Sequence, residues 1–192
     1  MVMTASAMLE LGTAFPDFHL KDTRGELVST TSFKGQPILL VFMCNHCPFV
    51  QHIREGFVKL AKEYQDRGVA VLGINSNINP EYPEDSLKKM VEYAQKYSYP
   101  FPYLIDDDQC VARAFHAACT PDFFLFDQGH KLVYRGQMDD SRPGNDVPVT
   151  GNDLRKALDS VLRGDSVAGN QKPSLGCNIK WCPGNEPEYF SD

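Results

Sequence analysis

Long apolar runs and excess positive charge are both missing from this chain of 192 residues. No stretch of about 18 apolar residues occurs, so no transmembrane helix is expected. Lysine and arginine number 19 against 25 aspartates and glutamates, and the net charge of −6 makes nucleic acid or an anionic membrane a poor partner. The segment Met1 to Leu11 has neither the basic nor the apolar region of a signal peptide, and we therefore expect a cytoplasmic protein.

Cysteine is also too scarce for a disulfide scaffold. The six cysteines are Cys44, Cys47, Cys110, Cys119, Cys177 and Cys182. In a reducing compartment, a close cysteine pair beside alternating strands and helices indicates redox activity rather than covalent bracing. We expect Cys110, in a predicted helix, to be a buried apolar side chain, because free cysteine is among the most buried residue types.

The close pair lies in the motif Cys44-Asn45-His46-Cys47-Pro48. An apolar run precedes it at 37–43 and a helical pattern follows it at 49–55. We therefore expect a strand to end at Met43 and a helix to begin near Cys44. The free amides at a helix start stabilise a thiolate, and in Cys-x-x-Cys motifs they lower a thiol pKa to roughly 3.5–7.5.

The hydrophobic pattern predicts a mixed central sheet with helices on both faces. A hairpin at 18–21 and 26–29 comes first, and strands at 38–43, 69–75, 102–105, 123–126 and 131–135 follow. Helices are expected from the motif to Asp66 and at 85–97, 108–118 and 152–163. We expect a domain over 1–164 and a tail over 165–192 that packs back on it, with chemistry at the carboxyl ends of the parallel strands.

Three motifs carry a resemblance to a known family. They are the stretch 42–50 around the cysteine pair, Cys119-Thr120-Pro121 before the fourth strand, and the tail motif 172–181. With them, the chain resembles the thioredoxin-like superfamily and, within it, the AhpC/TSA or peroxiredoxin-like branch. The resemblance implies a thioredoxin-like α/β fold with thiol–disulfide oxidoreductase or antioxidant activity.

The resemblance also implies roles for the motif residues. Cys44 would be the exposed nucleophile, Cys47 the resolving thiol of the redox-active pair, and His46 a group that stabilises the Cys44 thiolate. Pro121 would be cis and face the pair, and Thr120 would bind an extended substrate.

Two further cysteines are possible additional redox thiols. Cys119 lies two positions before Pro121, and Cys177 lies in the tail motif. If the tail folds back over the site, Cys177 joins the redox chemistry. The alternative is a thiol packed beside Trp181, and the residues leave both open.

Two departures from the family patterns bear on activity. Many thioredoxins carry a buried acid six residues before the first cysteine, and here that position is Ile38. Peroxiredoxins need Pro-x-x-x-Thr/Ser-x-x-Cys; counting back from Cys44 gives Pro37 but places Val41 at the hydroxyl position. Counting back from Cys47 places a leucine and a cysteine there. Thiol peroxidase activity is therefore the alternative function rather than the first.

A metal-delivering protein is the second alternative. Cys44 and Cys47 with His46 or His52 could hold copper or zinc. The redox hypothesis needs no flavin, nicotinamide or metal. It does need a disulfide-containing protein or a peroxide as substrate, and a cellular thiol to restore the dithiol.

Overall fold

The computed structural model describes residues 3–190, so the first two and last two positions of the chain lie outside this description. Its strands are β1 (Met3–Ala5), β2 (His19–Asp22), β3 (Leu27–Ser29), β4 (Ile38–Phe42), β5 (Ala70–Asn75), β6 (Tyr103–Ile105), β7 (Cys119–Thr120), β8 (Asp122–Phe126), β9 (Leu132–Gly136) and β10 (Leu175–Asn178). Seven of them form a central sheet in the order β3-β2-β6-β5-β4-β8-β9.

Four α-helices are present between residues 3 and 190. They are α1 (Pro48–Gln65), α2 (Leu87–Lys96), α3 (Cys110–Ala114) and α4 (Asn152–Arg163). No helix in this part of the chain has the length and apolar character needed to cross a membrane.

Strand β4 is the centre of the core because both of its faces are covered. All five of its residues are buried, and successive side chains point to opposite sides of the sheet. Leu39 and Val41 pack with α1, α2 and α4 in one hydrophobic cluster. Leu40 and Phe42 pack with α3 in a second cluster on the other face. The predicted mixed sheet with helices on both faces is therefore confirmed.

The register of β4 determines where the cysteine motif lies. Strands β4, β5 and β6 are parallel, whereas β8 runs antiparallel to β4 and forms a hairpin with β9. Phe42, the last residue of β4, is paired with Asp122, the first residue of β8. The loop after Phe42 therefore reaches the Thr120–Pro121 segment that precedes β8.

A second, three-stranded sheet was not predicted from the sequence. Its order is β1-β10-β7, and β10 is antiparallel to both neighbours. Strand β10 belongs to the tail, where the sequence shows no periodicity. Strands of two to four residues carry too little pattern to predict, because their stability comes from partners that are distant in sequence.

Helix α1 starts later than expected. It begins at Pro48 rather than near Cys44, and Cys47 is the capping residue. Proline is favoured at the first helical position, where its missing N–H leaves no hydrogen bond unmade, and is disfavoured further in. Helix α3 is also shorter than the predicted 108–118, and Cys110 at its start is exposed instead of buried.

Gly176 allows β10 to lie directly against the Thr120 backbone. A Cβ at this position would lie 2.0 Å from the Thr120 carbonyl oxygen. We predict that Gly176→Ala lowers the free energy of unfolding by at least about 2 kcal/mol, because backbone must move to make room. Thermal unfolding measures the effect. Gly169→Ala is the control, because the added methyl group meets open space. It should change the free energy of unfolding by less than about 0.5 kcal/mol. Equal melting temperatures for the two variants would refute the prediction.

Candidate active site

Cys44 and Cys47 lie in the loop between β4 and α1, at the carboxyl edge of the central sheet. Both side chains are 0% exposed, so the expectation of an exposed Cys44 is wrong. The reason is that the loop runs beneath the β7–β10 layer before the helix begins. Cys44 Sγ lies 3.4 Å from Thr120 Oγ1, and Cys47 Sγ lies 3.1 Å from the Thr120 carbonyl oxygen.

The peptide bond between Thr120 and Pro121 is cis, as the resemblance implied. Thr120 is 2% exposed and contacts both sulfurs of the pair. The structure thus brings these sequence-predicted residues together. The role of Thr120 and Pro121 in binding substrate stays a prediction.

Cys177 in β10 is the third sulfur of the site. The register places Cys177 opposite Thr120, and its side chain is 1% exposed. Its Sγ lies 3.0 Å from Cys47 Sγ. Cys119, the other predicted thiol, lies with its Sγ 3.8 Å from the Pro121 carbonyl oxygen, and its contribution to redox chemistry stays a prediction.

Among the sulfurs of Cys44, Cys47 and Cys177, the one whose thiol pKa is lowered is that of Cys47. Hydrogen bonds with the Cys177, Cys44 and Thr120 side chains, together with the backbone amide of Val50, lower the pKa of Cys47. Val50 is in the first turn of α1, so the helix start acts on Cys47 and not on the residue three positions earlier.

Cys44 shows the opposite effect. Burial raises the pKa of the Cys44 thiol well above its usual value, and the negative charges of Asp85 and Cys47 add to the increase. The pKa of Cys44 therefore shifts opposite to the direction expected from the sequence. The physical reason is the later start of α1, which leaves Cys44 buried without the helix amides.

His46 is held by the buried carboxylate of Asp85, which was not predicted from the sequence as a site residue. Its Nδ1 is hydrogen-bonded to Asp85 Oδ2, and its ring stacks on Tyr82 at 4.6 Å between ring centroids. Asp85 is completely buried and accepts hydrogen bonds from the Asn45 amide at 2.6 Å and from Asn75 Nδ2 at 3.1 Å. The available signal was its position in the loop after β5, at the same carboxyl edge as the cysteine motif.

One group of side chains between residues 3 and 190 could hold a metal ion. Ligand atoms of Cys44, His46 and Asp85 lie within 4.8 Å of one another. This set offers three protein ligands, one fewer than a closed tetrahedral zinc site. It shares Cys44 and His46 with the set considered from the sequence, but Asp85 stands in place of Cys47. His52 Nε2 instead lies 2.7 Å from Ser141 Oγ.

Asp122 is a buried acid beside the cis-proline. Ser6 Oγ donates a 2.7 Å hydrogen bond to its Oδ1, and Oδ2 has no partner in the described structure. Burial raises the pKa of Asp122 to about 7. The sheet therefore carries a buried carboxyl on β8, whereas β4 has Ile38 where many thioredoxins have an acid.

Asp122 should make stability depend on pH. Its pKa rises from 3.8 to about 7 on folding, so the folded protein holds the extra proton between these values and loses stability as pH increases. The Asp122→Asn variant lacks this pH dependence. We therefore predict that its free energy of unfolding, relative to that of the wild type, increases by about 2 kcal/mol between about pH 5 and about pH 7. Urea unfolding at several pH values measures it, with the exposed Asp107→Asn as control. A difference independent of pH would contradict the prediction.

The fold and the site together define a thioredoxin-like redox protein. A cysteine pair follows the central parallel strand, and a cis-proline faces it across the sheet edge. Solved structures whose names place them among thioredoxin-family and thiol–disulfide oxidoreductase proteins share this fold. The thioredoxin-like fold class expected from the motifs is confirmed.

The chain belongs to the AhpC/TSA family, whose model matches residues 11–135. The match begins before β2 and ends within β9, so it includes the cysteine motif and the cis-proline. The branch expected from the sequence is therefore confirmed.

Individual proteins resemble the chain over most or part of its length. Thiol-disulfide oxidoreductase ResA of Geobacillus thermodenitrificans is 25% identical over 160 residues, which cover 82% of each chain. Peroxiredoxin Bcp of Bacillus subtilis is 29% identical over 107 residues, covering 56% of this chain and 64% of its own. The crystal structure of an uncharacterized conserved protein from Geobacillus kaustophilus is 49% identical, covers 95% of this chain and 98% of its own, and superposes with a TM-score of 0.93. The chain is an oxidoreductase of the thioredoxin fold.

Proposed function

We propose that this protein is a thiol–disulfide oxidoreductase in which Cys44 and Cys47 cycle between a dithiol and a disulfide. The observation that carries the proposal is the placement of the Cys44 and Cys47 thiols after β4, both in contact with Thr120 before the cis-proline, and the lowered pKa of Cys47 supports it. A thiolate is the nucleophile in disulfide exchange, and hydrogen-bond donors that lower its pKa keep it ionised at neutral pH.

The reaction follows from the two thiols. The Cys47 thiolate attacks one sulfur of a substrate disulfide and forms a mixed disulfide, and the other substrate sulfur leaves as a thiolate. Cys44 then loses its proton and attacks the Cys47 sulfur, which releases the reduced substrate and leaves a Cys44–Cys47 disulfide. This order reverses the roles expected from the sequence, because burial keeps Cys44 protonated until the second step.

His46 is the proposed proton acceptor for Cys44. A ring nitrogen of His46 and the Cys44 sulfur lie within 4.8 Å. The hydrogen bond between Nδ1 and Asp85 orients the ring, and the buried Nε2 has no hydrogen-bond partner in the described structure and is the nitrogen we propose as the acceptor. Asp85 acts through His46 and is therefore a positioning residue.

Substrate and location remain part of the proposal. The names of the relatives support a disulfide-containing protein or a peroxide as oxidant, and a cellular thiol as reductant. All three sulfurs are buried, so a protein disulfide reaches them only after a local opening. We propose a cytoplasmic location, because the scarce cysteines suit a reducing compartment.

A thiol peroxidase is the second candidate, favoured by the acidic Cys47 and the peroxiredoxin relative. Attack of Cys47 on a peroxide would give a sulfenic acid, which Cys44 would resolve with loss of water. The two arginines between the cis-proline and α4 argue against a peroxide-binding pocket. Arg135 donates hydrogen bonds to the Leu9 carbonyl oxygen and to Gln171. Arg142 donates to Gln137 and to two backbone carbonyl oxygens. None of these described hydrogen bonds involves the sulfurs of the site. Reduction of disulfides is therefore the first proposal.

Removal of the acidic thiol tests the assignment of roles. We predict that Cys47→Ser abolishes both insulin-disulfide reduction and the thiolate absorbance near neutral pH, because the serine hydroxyl does not ionise there. Cys44→Ser keeps a hydroxyl that can donate in place of the Cys44 thiol, and it should therefore retain the Cys47 thiolate. Ultraviolet titration of the reduced proteins, with Cys182→Ser as control, measures both. A thiolate that disappears only in Cys44→Ser would assign the nucleophile to Cys44 instead.

Asp85→Asn tests the positioning role. Asparagine keeps an acceptor oxygen for the Asn45 amide but removes the negative charge that orients His46. We predict that the maximal rate of disulfide reduction falls by about 10²-fold, the lower end of a general-base contribution, with little change in KM. The exposed neighbour Glu84→Gln should leave the rate unchanged. An equal loss of rate in both variants would argue against a positioning role for Asp85. A loss of rate that merely reflects unfolding of Asp85→Asn, seen by thermal unfolding, would also argue against it.

A further inference from the structure

The tail strand β10 occupies the edge of the cis-proline segment. Cys177 is paired with Thr120, and Asn178 with Cys119. An extended substrate would need the same backbone edge to pair beside Thr120. The chain therefore places its own strand, with its own cysteine, where a substrate strand is expected to bind.

The position of Cys177 is set by backbone on both sides. Strand β10 is paired with β1 at Met3 and with β7 at Thr120, both in register with Cys177. Gly176, the residue before it, has no side chain and lies close against the Thr120 carbonyl oxygen. The 3.0 Å separation between the Cys177 and Cys47 sulfurs is thus a consequence of sheet register.

The separation is short enough for bond formation. A disulfide has a sulfur–sulfur length of about 2.05 Å, so closing the gap requires a movement of about 1 Å. The Cys177 and Cys47 side chains share one buried cluster with Cys44, and no bulk water separates them. Cys110 and Cys182 lie outside this cluster, and they provide matched controls.

We propose that Cys177 is the third redox thiol of the site and exchanges with the Cys44–Cys47 disulfide at the sulfur of Cys47. The proposal rests on the dithiol function above. The Cys177 sulfur loses its proton and forms a bond to Cys47, and the Cys44–Cys47 bond breaks. Its electron pair goes to Cys44, which takes up a proton. The step is an internal exchange with no net oxidation, and it yields a Cys47–Cys177 disulfide and a reduced Cys44.

The charge state of Cys47 favours exchange only after oxidation. In the reduced protein, the hydrogen bond with Cys47 is the main reason that the pKa of Cys177 is raised, and burial raises it further. Cys177 therefore keeps its proton. Once Cys47 is part of a disulfide it carries no charge, and this cause is removed. Lys180 acts in the opposite direction and lowers the pKa of Cys177. Cys177 thus becomes a better nucleophile when a disulfide is present to attack.

Disulfide mapping tests the proposal. The reduced wild type, treated with one equivalent of diamide, is quenched with acid, alkylated, digested without reductant and analysed by mass spectrometry. We expect Cys47–Cys177 as the main disulfide in the wild type and in Cys182→Ser. Cys177→Ser should instead yield Cys44–Cys47, and Cys44→Ser should yield Cys47–Cys177. Thermal unfolding of each variant before oxidation establishes that it is folded.

The outcomes separate this proposal from the function on which it rests. If the wild type contains Cys44–Cys47 and no bond to Cys177, the third thiol is refuted and the dithiol function stands. If neither the wild type nor Cys177→Ser forms Cys44–Cys47 or Cys47–Cys177, both proposals fail.

Discussion

Thr120 is the common contact of the three thiols, and the arrangement of the site depends on it. Its hydroxyl lies beside Cys44, its carbonyl oxygen beside Cys47, and its backbone is paired with Cys177. The pairing of β4 with β8 brings the loop that carries Cys44 and Cys47 to Thr120. Cys177 reaches Thr120 separately, through the pairing of β10 with β7. Because Thr120 contacts two of the sulfurs and pairs through its backbone with the residue that carries the third, a shift of the cis-proline segment would change the distances among all three.

Burial and helix geometry act on the thiols in opposite directions. Burial alone raises a thiol pKa, as it does for Cys44 and Cys119. At Cys47, donors from two thiols and from the first turn of α1 outweigh burial. Hydrogen bonds therefore favour ionisation of Cys47, whereas burial favours the protonated forms of Cys44 and Cys119, and the start of α1 supplies one of the donors to Cys47. That start is at Pro48, because proline is tolerated only in the first turn.

Most of the central fold was predictable because its signals are local and strong. The apolar run of β4, the periodic helix α4 and the strand hairpin β8–β9 all lie close to their expected positions. The motif also predicted which cysteines come together with the cis-proline. The burial of Cys44, the exposure of Cys110 and the position of Asp85 beside His46 could not be derived in this way. The exposure of each side chain and its hydrogen-bond partners depend on which segments pack over it, and those segments are distant in the sequence.

The sequence by itself determined the order of strands and helices and the position of the cysteine pair at the end of a buried strand, because apolar periodicity encodes them. The family followed from the resemblance that its three motifs carry. Only the tertiary structure decided which thiol is acidic and that the tail cysteine lies 3.0 Å from it. The physical reason is that a thiol pKa depends on solvation and on hydrogen-bond donors from several segments. Those segments meet at the site through the pairing of β10 with β7, and strands this short leave no periodic signal.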